Sequence, residues 1–239
     1  IMPNDVLLLV SYHLANNKGI NGAIIRSQAT SMQLDKVADK YGLEHYETPV
    51  GFKYLGGQMV DLRKEGKDIL VAGEESGGLT VNGHIPEKDG IMAISLIMDL
   101  VATEKKPLSE ILKDVKSDLG IYYETQTISK KFTDDETKNK IMNKAEVMFD
   151  EAMKGNDDFY GTHKIDIERT AECRNNMEHY RPGGDGFKFF LTDGSAILMR
   201  KSGTEPLVRC YIEAAGKTPE EAKENFEVLN EDLSSFFTV

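Results

Sequence analysis

Cysteine is scarce in this sequence: Cys173 and Cys210 are the only two in 239 residues, and they have no paired spacing. Such usage argues against a disulfide framework and against a cysteine zinc site, and it points to a reduced, cytoplasmic setting. Basic charge is short too. Lys and Arg total 29 against 40 Asp and Glu, a formal net charge of −11. Nucleic-acid binding draws its affinity from clustered Lys and Arg, so no nucleic-acid partner is expected. No apolar run approaches the roughly 20 residues that span a bilayer, and the amino-terminal stretch lacks the basic region of a signal peptide, so no membrane partner is expected. Internal repeats and low-complexity linkers are missing as well. Residue 1 is Ile rather than Met, which suggests a chain cut from something longer.

What is present reads as a globular protein of two domains, 40% apolar and 29% charged,. Over residues 1–120, helices and strands alternate. Val6–Ala15 is expected to be a helix, capped by Asn4 or Asp5. Residues 22–27 read as a short buried strand, and a second helix follows Thr30 or Ser31 and stops at Gly42. Further strands are expected in "LEHYETP" and "DILVAGEE", with a helix from Phe52 to Lys64 between them and a last helix in "DGIMAISLIMDLVATEKK" capped near Asp89. The pattern predicts an α/β layer domain with a mixed sheet. Residues 121–132 read as a connecting segment. Residues 133–239 then read as a smaller α+β domain, an antiparallel sheet packed on helices. It opens with a helix from Thr133 or Asp134 to Gly155 and continues with strands in "HKIDIE" and "GFKFFLTDGSAILMR", turned at Asp193-Gly194. A closing helix is capped by Thr218.

Two loops carry more than a chain reversal needs. In "RKSGTEP", residues 200–206, Arg200 brings a five-donor fork, Ser202 and Thr204 bring hydroxyls, and Gly203 lets backbone N–H groups approach a ligand. These are parts for binding phosphate, although a solvated hairpin tip has a similar composition. The string fits no Walker A loop, since it leads into a strand. In "AGEESGG", residues 72–78, paired carboxylates among small residues suit sugar hydroxyls. Acid–base work or Mg²⁺ ligation by Glu74 and Glu75 is open on the same residues, as is a solvated acidic turn. One acidic and one basic loop together suggest a ligand with a hydroxylated end and a phosphorylated end, as in a sugar phosphate.

"AGEESGG", "GHIPEKDGI" and "RKSGTEPLVR", with "TPVGFKYLG" at residues 48–56, occur in an order and at a separation that resemble the α-D-phosphohexomutases, the phosphoglucomutases and phosphomannomutases. The resemblance covers nearly the whole chain and implies the third and fourth of the family's four domains. It implies substrate binding by Glu74, Ser76 and Gly77, with Lys53 close by, and phosphate binding by Arg200, Ser202, Gly203 and Thr204, with Arg209 a weaker match. His84 and Lys88 lie near in sequence without an assigned role. The family's nucleophilic serine loop and its aspartate-rich metal loop have no counterpart here. No catalytic or metal-binding residue is therefore expected in this chain, which alone should be inactive.

The expected whole is a phosphohexomutase that interconverts hexose 1- and 6-phosphates, glucose favoured over mannose, through a phosphoserine and a bisphosphate intermediate. Its expected cofactors are Mg²⁺ and glucose 1,6-bisphosphate, and the expected partners of this half are the hexose phosphate and the missing N-terminal domains. A complete sugar-phosphate-binding module without chemistry is the alternative. A hydrolase using Glu74 and Glu75 as its carboxylate pair fits poorly, because neighbours on one turn cannot flank a scissile bond.

Overall fold

The computed structural model of the protein describes residues 1–156, 159–181, 186–202 and 205–237. They form two compact units, Ile1–Ile121 and Tyr122–Val239.

In the first unit α1 (Pro3–Tyr12) continues into one π-helical turn, His13–Asn17. It starts earlier than the cap signals predict. Proline at the first helical position needs no N–H partner, and the Asp5 carboxylate reaches back to accept from the Met2 N–H at 3.0 Å,. There follow β1 (Ala23–Ser27), α2 (Gln33–Tyr41), β2 (His45–Thr48), α3 (Phe52–Lys64), β3 (Ile69–Gly73), β4 (Leu79–Val81), α4 (Gly90–Glu104) and α5 (Leu108–Leu119). Two predicted ends hold: Gly42 closes α2 in the left-handed region at φ 64°, and Asp89 caps α4 by accepting from the Ile91 and Met92 N–H groups. These bonds, the one from Met92 foremost, hold the Asp89 carboxyl below its usual range,. Helix α5 is an element the pattern reading passes over. Lys105, in the left-handed region at φ 53°, closes α4, Pro107 precedes the new helix, and Leu108, Ile111, Leu112, Val115 and Leu119 pack at helical spacing.

The sheet order is β2-β1-β3-β4, with β1 parallel to both neighbours and β4 antiparallel to β3. It is the expected mixed sheet. Its faces carry separate cores. Ile24, Leu70 and Val71 pack against α1, α2, α4 and α5, whereas Ala23, Ile25, Ile69 and Ala72 pack against Phe52, Leu55, Met59 and Leu62 of α3. The chain leaves β1 for β2 on one side of the sheet and later returns to place β3 on the other. The carboxyl ends of β1 and β3 therefore flank the switch point where open α/β sheets bind ligands.

The second unit corrects two expectations. Residues 121–132 are no connector: Tyr122–Lys131 is β5, a ten-residue strand paired antiparallel with β10 (Leu207–Gly216) along its whole length. "HKIDIE" is mostly not a strand either. After a two-stranded hairpin, β6 (Phe159–Tyr160) and β7 (His163–Lys164), Asp166 accepts from the Arg169 N–H and starts α7 (Ile167–Tyr180). The main sheet runs β5-β10-β9-β8, with β8 at Gly186–Phe190 and β9 at Ala196–Lys201, joined through Asp193 and Gly194, the latter at φ 93°. Helices α6 (Asp135–Met153), capped by Asp134, and α8 (Pro219–Phe236), capped by Thr218, pack Ile141, Ala145, Phe149, Leu229 and Leu233 onto Ile197, Met199, Val208, Cys210 and Ile212. Both cysteines are buried thiols, and burial pushes Cys210 up to about 12, which keeps it protonated and unreactive,. Among the described residues, no helix is long and apolar enough to cross a membrane.

Candidate functional site

The acidic loop is the turn of the β3–β4 hairpin. Strand pairing brings Gly73 opposite Leu79. The Glu74 N–H donates to the Gly78 carbonyl at 2.9 Å and the Gly77 N–H to the Glu74 carbonyl at 2.8 Å, with Gly77 at φ 86°, a conformation that excludes most side chains,. The loop leaves β3 at its carboxyl end, beside the switch point.

Its two carboxylates differ in environment. Glu74 is only 6% exposed. Its Oε1 accepts from the Gly51 N–H at 2.9 Å and its Oε2 from the Lys88 ammonium at 3.3 Å. Gly51 is the N-cap of α3, so a buried anion sits at the positive end of a helix that has no side-chain cap of its own,. Glu75 is half-buried, and its Oε2 accepts from Ser27 Oγ at 3.1 Å, itself 2.9 Å from Thr30 Oγ1. Ser76 stands exposed at the tip.

Lys53 lies in the first turn of α3, two residues past the Gly51 amide that holds Glu74. Its side chain is exposed, with the ammonium 4.8 Å from the centre of the Tyr54 ring. The structure thus ties Glu74 to the segment that carries Lys53. Lys88, which the motif reading left without a role, is brought directly onto Glu74. Fourteen residues separate the two in sequence, a distance over which no local pattern signals a contact. His84 turns to Asp89, with Nε2 and Oδ2 3.0 Å apart.

Beneath this loop lies a buried charge cluster that sequence reasoning missed. Arg26, near the end of β1, donates from Nε and Nη2 to the two Asp35 oxygens at 2.6 Å each and from Nη2 to Glu47 at 3.3 Å. The neighbouring residue, Ser27, is the one that holds Glu75.

The basic loop connects β9 to β10. Arg200 and Arg209 are register partners across these antiparallel strands, so their side chains leave the same face, Arg200 half-buried and Arg209 exposed,. Like charges placed directly opposite cost stability, and an anion between them removes that cost. Gly186 of β8 faces Arg200 on the other side. A Cβ there would meet Met199 O at 2.3 Å and Arg200 Cγ at 2.7 Å, so glycine makes room for the arginine stem. Ser202 anchors the loop: its N–H donates to the Leu207 carbonyl at 2.9 Å, and its Oγ accepts from the Glu205 N–H at 3.3 Å. Gly203 and Thr204, expected to bind phosphate, lie outside the described residues. The buried Lys138 of α6 reaches the same loop, its Nζ 3.4 Å from Ser202 O and 3.5 Å from Glu205 O.

Among the described residues, no three His, Cys, Asp or Glu side chains converge as metal ligands.

Comparison with known proteins places both loops in a family context. The family model described as phosphoglucomutase/phosphomannomutase, alpha/beta/alpha domain III, matches residues 2–118, and the model of the C-terminal domain matches residues 136–230. Phosphoglucomutase-1 of Homo sapiens is 30% identical over 250 residues, covering 98% of this chain and 42% of its own length. A phosphoglucomutase of Rhizobium radiobacter is 29% identical and covers 89% of this chain and 39% of its own length. Among solved structures, the open form of the Paramecium phosphoprotein parafusin, a phosphoglucomutase, superposes with a TM-score of 0.70 at 26% identity, covering 99% of this chain and 41% of that one. The chain thus spans about two fifths of the length of the relatives it matches.

Proposed function

The chain belongs to the phosphoglucomutase/phosphomannomutase family, and from that premise we propose that it forms the substrate-holding half of a phosphohexomutase interconverting hexose 1- and 6-phosphates, with glucose preferred over mannose. Glu74, Ser76 and Gly77, with Lys53 beside them, take the sugar hydroxyls. Arg200, Ser202, Gly203, Thr204 and Arg209 take the phosphate that is not transferred. The observation that carries this reading is the facing pair Arg200 and Arg209 at the mouth of a loop with a further ammonium beneath it, a concentration of cations in a chain of net charge −11.

Each residue type suits its task. A carboxylate held by a backbone N–H and an ammonium is fixed in orientation, and its remaining lone pairs can accept sugar O–H donors without reorganising. A guanidinium grips either end's phosphate by charge and geometry, so a sugar bound in the opposite orientation meets the same cradle. In this reading the phosphoserine and the bisphosphate-forming chemistry belong to the preceding domains, and so do Mg²⁺ binding and the response to glucose 1,6-bisphosphate. This half positions the substrate.

The 239-residue chain is accordingly expected to bind glucose 1-phosphate in a calorimetric titration yet to give no turnover with Mg²⁺ and catalytic glucose 1,6-bisphosphate. Turnover in the ordinary enzymatic range, roughly 1–10³ s⁻¹, would sink the assignment of the chemistry to other domains. A chain that binds neither glucose 1-phosphate nor inorganic phosphate would sink the site itself.

The acidic loop gives a second test. Glu74→Gln replaces an acceptor oxygen with an amide N–H₂ that must face the Gly51 N–H or the Lys88 ammonium, both donors. Affinity for glucose 1-phosphate should fall roughly tenfold, in keeping with a lost hydrogen bond to a charged group, and the preference over mannose 1-phosphate should shrink. Inorganic phosphate should bind as before. Equal losses for all three ligands would show that Glu74 supports the fold instead of reading the sugar.

A further inference from the structure

Lys138 sits where neither helix physics nor burial favours a lysine. It is in the first turn of α6, which begins at Asp135, and there the macrodipole is positive and disfavours a cation,. It is also only 8% exposed, and lysine is almost never buried unless paired,. Its ion-pair partner, Asp135 Oδ1 at 2.6 Å, has a side chain 72% exposed. A pair so open to solvent contributes little. Among the described residues, the ammonium also reaches the Ser202 and Glu205 carbonyls of the basic loop, 64 and 67 residues away in sequence.

We infer that Lys138 is a positioning residue of the phosphate loop, its buried ammonium holding the Ser202 and Glu205 carbonyls. This deepens the proposed function and rests on the phosphate-site reading given there. The two carbonyl contacts tie the described ends of the loop to α6, so the loop is held in one shape before an anion arrives,. The same ammonium adds a fixed positive charge at the loop while its donors go to the protein. The loop's own hydrogen bonds, Ser202 N–H to Leu207 O at 2.9 Å and Leu207 N–H to Glu205 O at 2.8 Å, report on the same geometry.

The test uses the full 239-residue chain with inorganic phosphate as the probe. Lys138→Met keeps an unbranched stem and removes the charge. It should weaken phosphate binding by about tenfold or more, the loss of contacts to a charged group, and speed hydrogen exchange at the Ser202 and Leu207 amides. Lys138→Arg should recover part of the affinity. Asp135→Asn, which removes only the exposed partner, should leave both readouts near those of the parent chain. A Lys138→Met chain that binds phosphate and exchanges these amides like the parent would overturn the positioning role. Failure of the unaltered chain to bind phosphate would overturn the site reading, while accelerated exchange in Lys138→Met would still support the hold on the loop. If Lys138→Met does not fold, Lys138→Arg and Lys138→Gln carry the test: affinity and exchange nearer the parent's in Lys138→Arg than in Lys138→Gln support a role for the charge, and equal losses in the two overturn it.

Discussion

Arg200→Ala is expected to weaken binding of glucose 1-phosphate and of inorganic phosphate alike, by roughly 10- to 100-fold, the range for hydrogen bonds to charged groups of about 1.5–3 kcal/mol. The fold should persist. Arg200 is the fifth of six residues in β9, past the buried run Ala196–Met199 that packs the core, and its stem lies in the space left by Gly186. Arg200→Lys should restore only part of the affinity, because a point charge replaces a planar fork. Gly186→Ala should mimic the loss without touching the charge, since its Cβ would collide with Met199 O and Arg200 Cγ. Calorimetry with both ligands on each variant, together with thermal unfolding, separates binding from folding. If Arg200→Ala binds both ligands like the parent, the run of donors in "RKSGTEP" is a solvated turn.

Asp35→Asn should be the most damaging single substitution for stability among those considered, costing about 3–5 kcal/mol, the usual price of breaking a buried ion pair from one side. Asp35 accepts two hydrogen bonds of 2.6 Å from Arg26, and the side chains are 5% and 2% exposed. Asparagine would keep one acceptor and turn an N–H₂ toward a guanidinium that water cannot reach. Glu47, at 3.3 Å from Nη2, moderates the loss without replacing the bidentate contact. The effect should extend to the acidic loop, because the residue after Arg26 is Ser27, which holds Glu75. Asp61→Asn breaks an exposed pair with Lys64 and is the natural control, expected to cost less than about 1 kcal/mol,. Urea unfolding of both variants provides the comparison. Equal midpoints would refute the assignment of a stabilising role to the Arg26 cluster.

The contrast between these two sites follows how far each was legible in the sequence. The loop containing Arg200 announces itself: the seven residues 200–206 hold donors, a glycine and two hydroxyls between two apolar runs, and a turn brings chain neighbours together whatever the rest of the molecule does. Helix ends were legible for the same reason. Asp89, Asp134 and Thr218 each accept from an amide two or three residues ahead, and Gly42 closes α2 within one turn. Signals of that kind act over a few residues, so they survive in a linear reading.

Other elements carry no such local signature, and tertiary structure decided them. "YYETQTISKK" lies on the edge of its sheet with one side half-exposed. It lacks the clean apolar alternation of an interior strand and becomes β5 only because β10 supplies a ladder from Gly216 to Leu207,. "IDIE" reads as a strand by its β-branched residues, yet Asp166 captures the Arg169 amide and turns the segment into the start of α7. Charge pairing was the least legible of all. Lys88 on Glu74, Arg26 on Asp35 and Lys138 on the Ser202 carbonyl join residues 14, 9 and 64 positions apart. An ionic side chain shows its charge in the sequence but not its partner. The partner is chosen when packing removes water from one particular pair and leaves the others solvated, and that desolvation exists only in the folded chain.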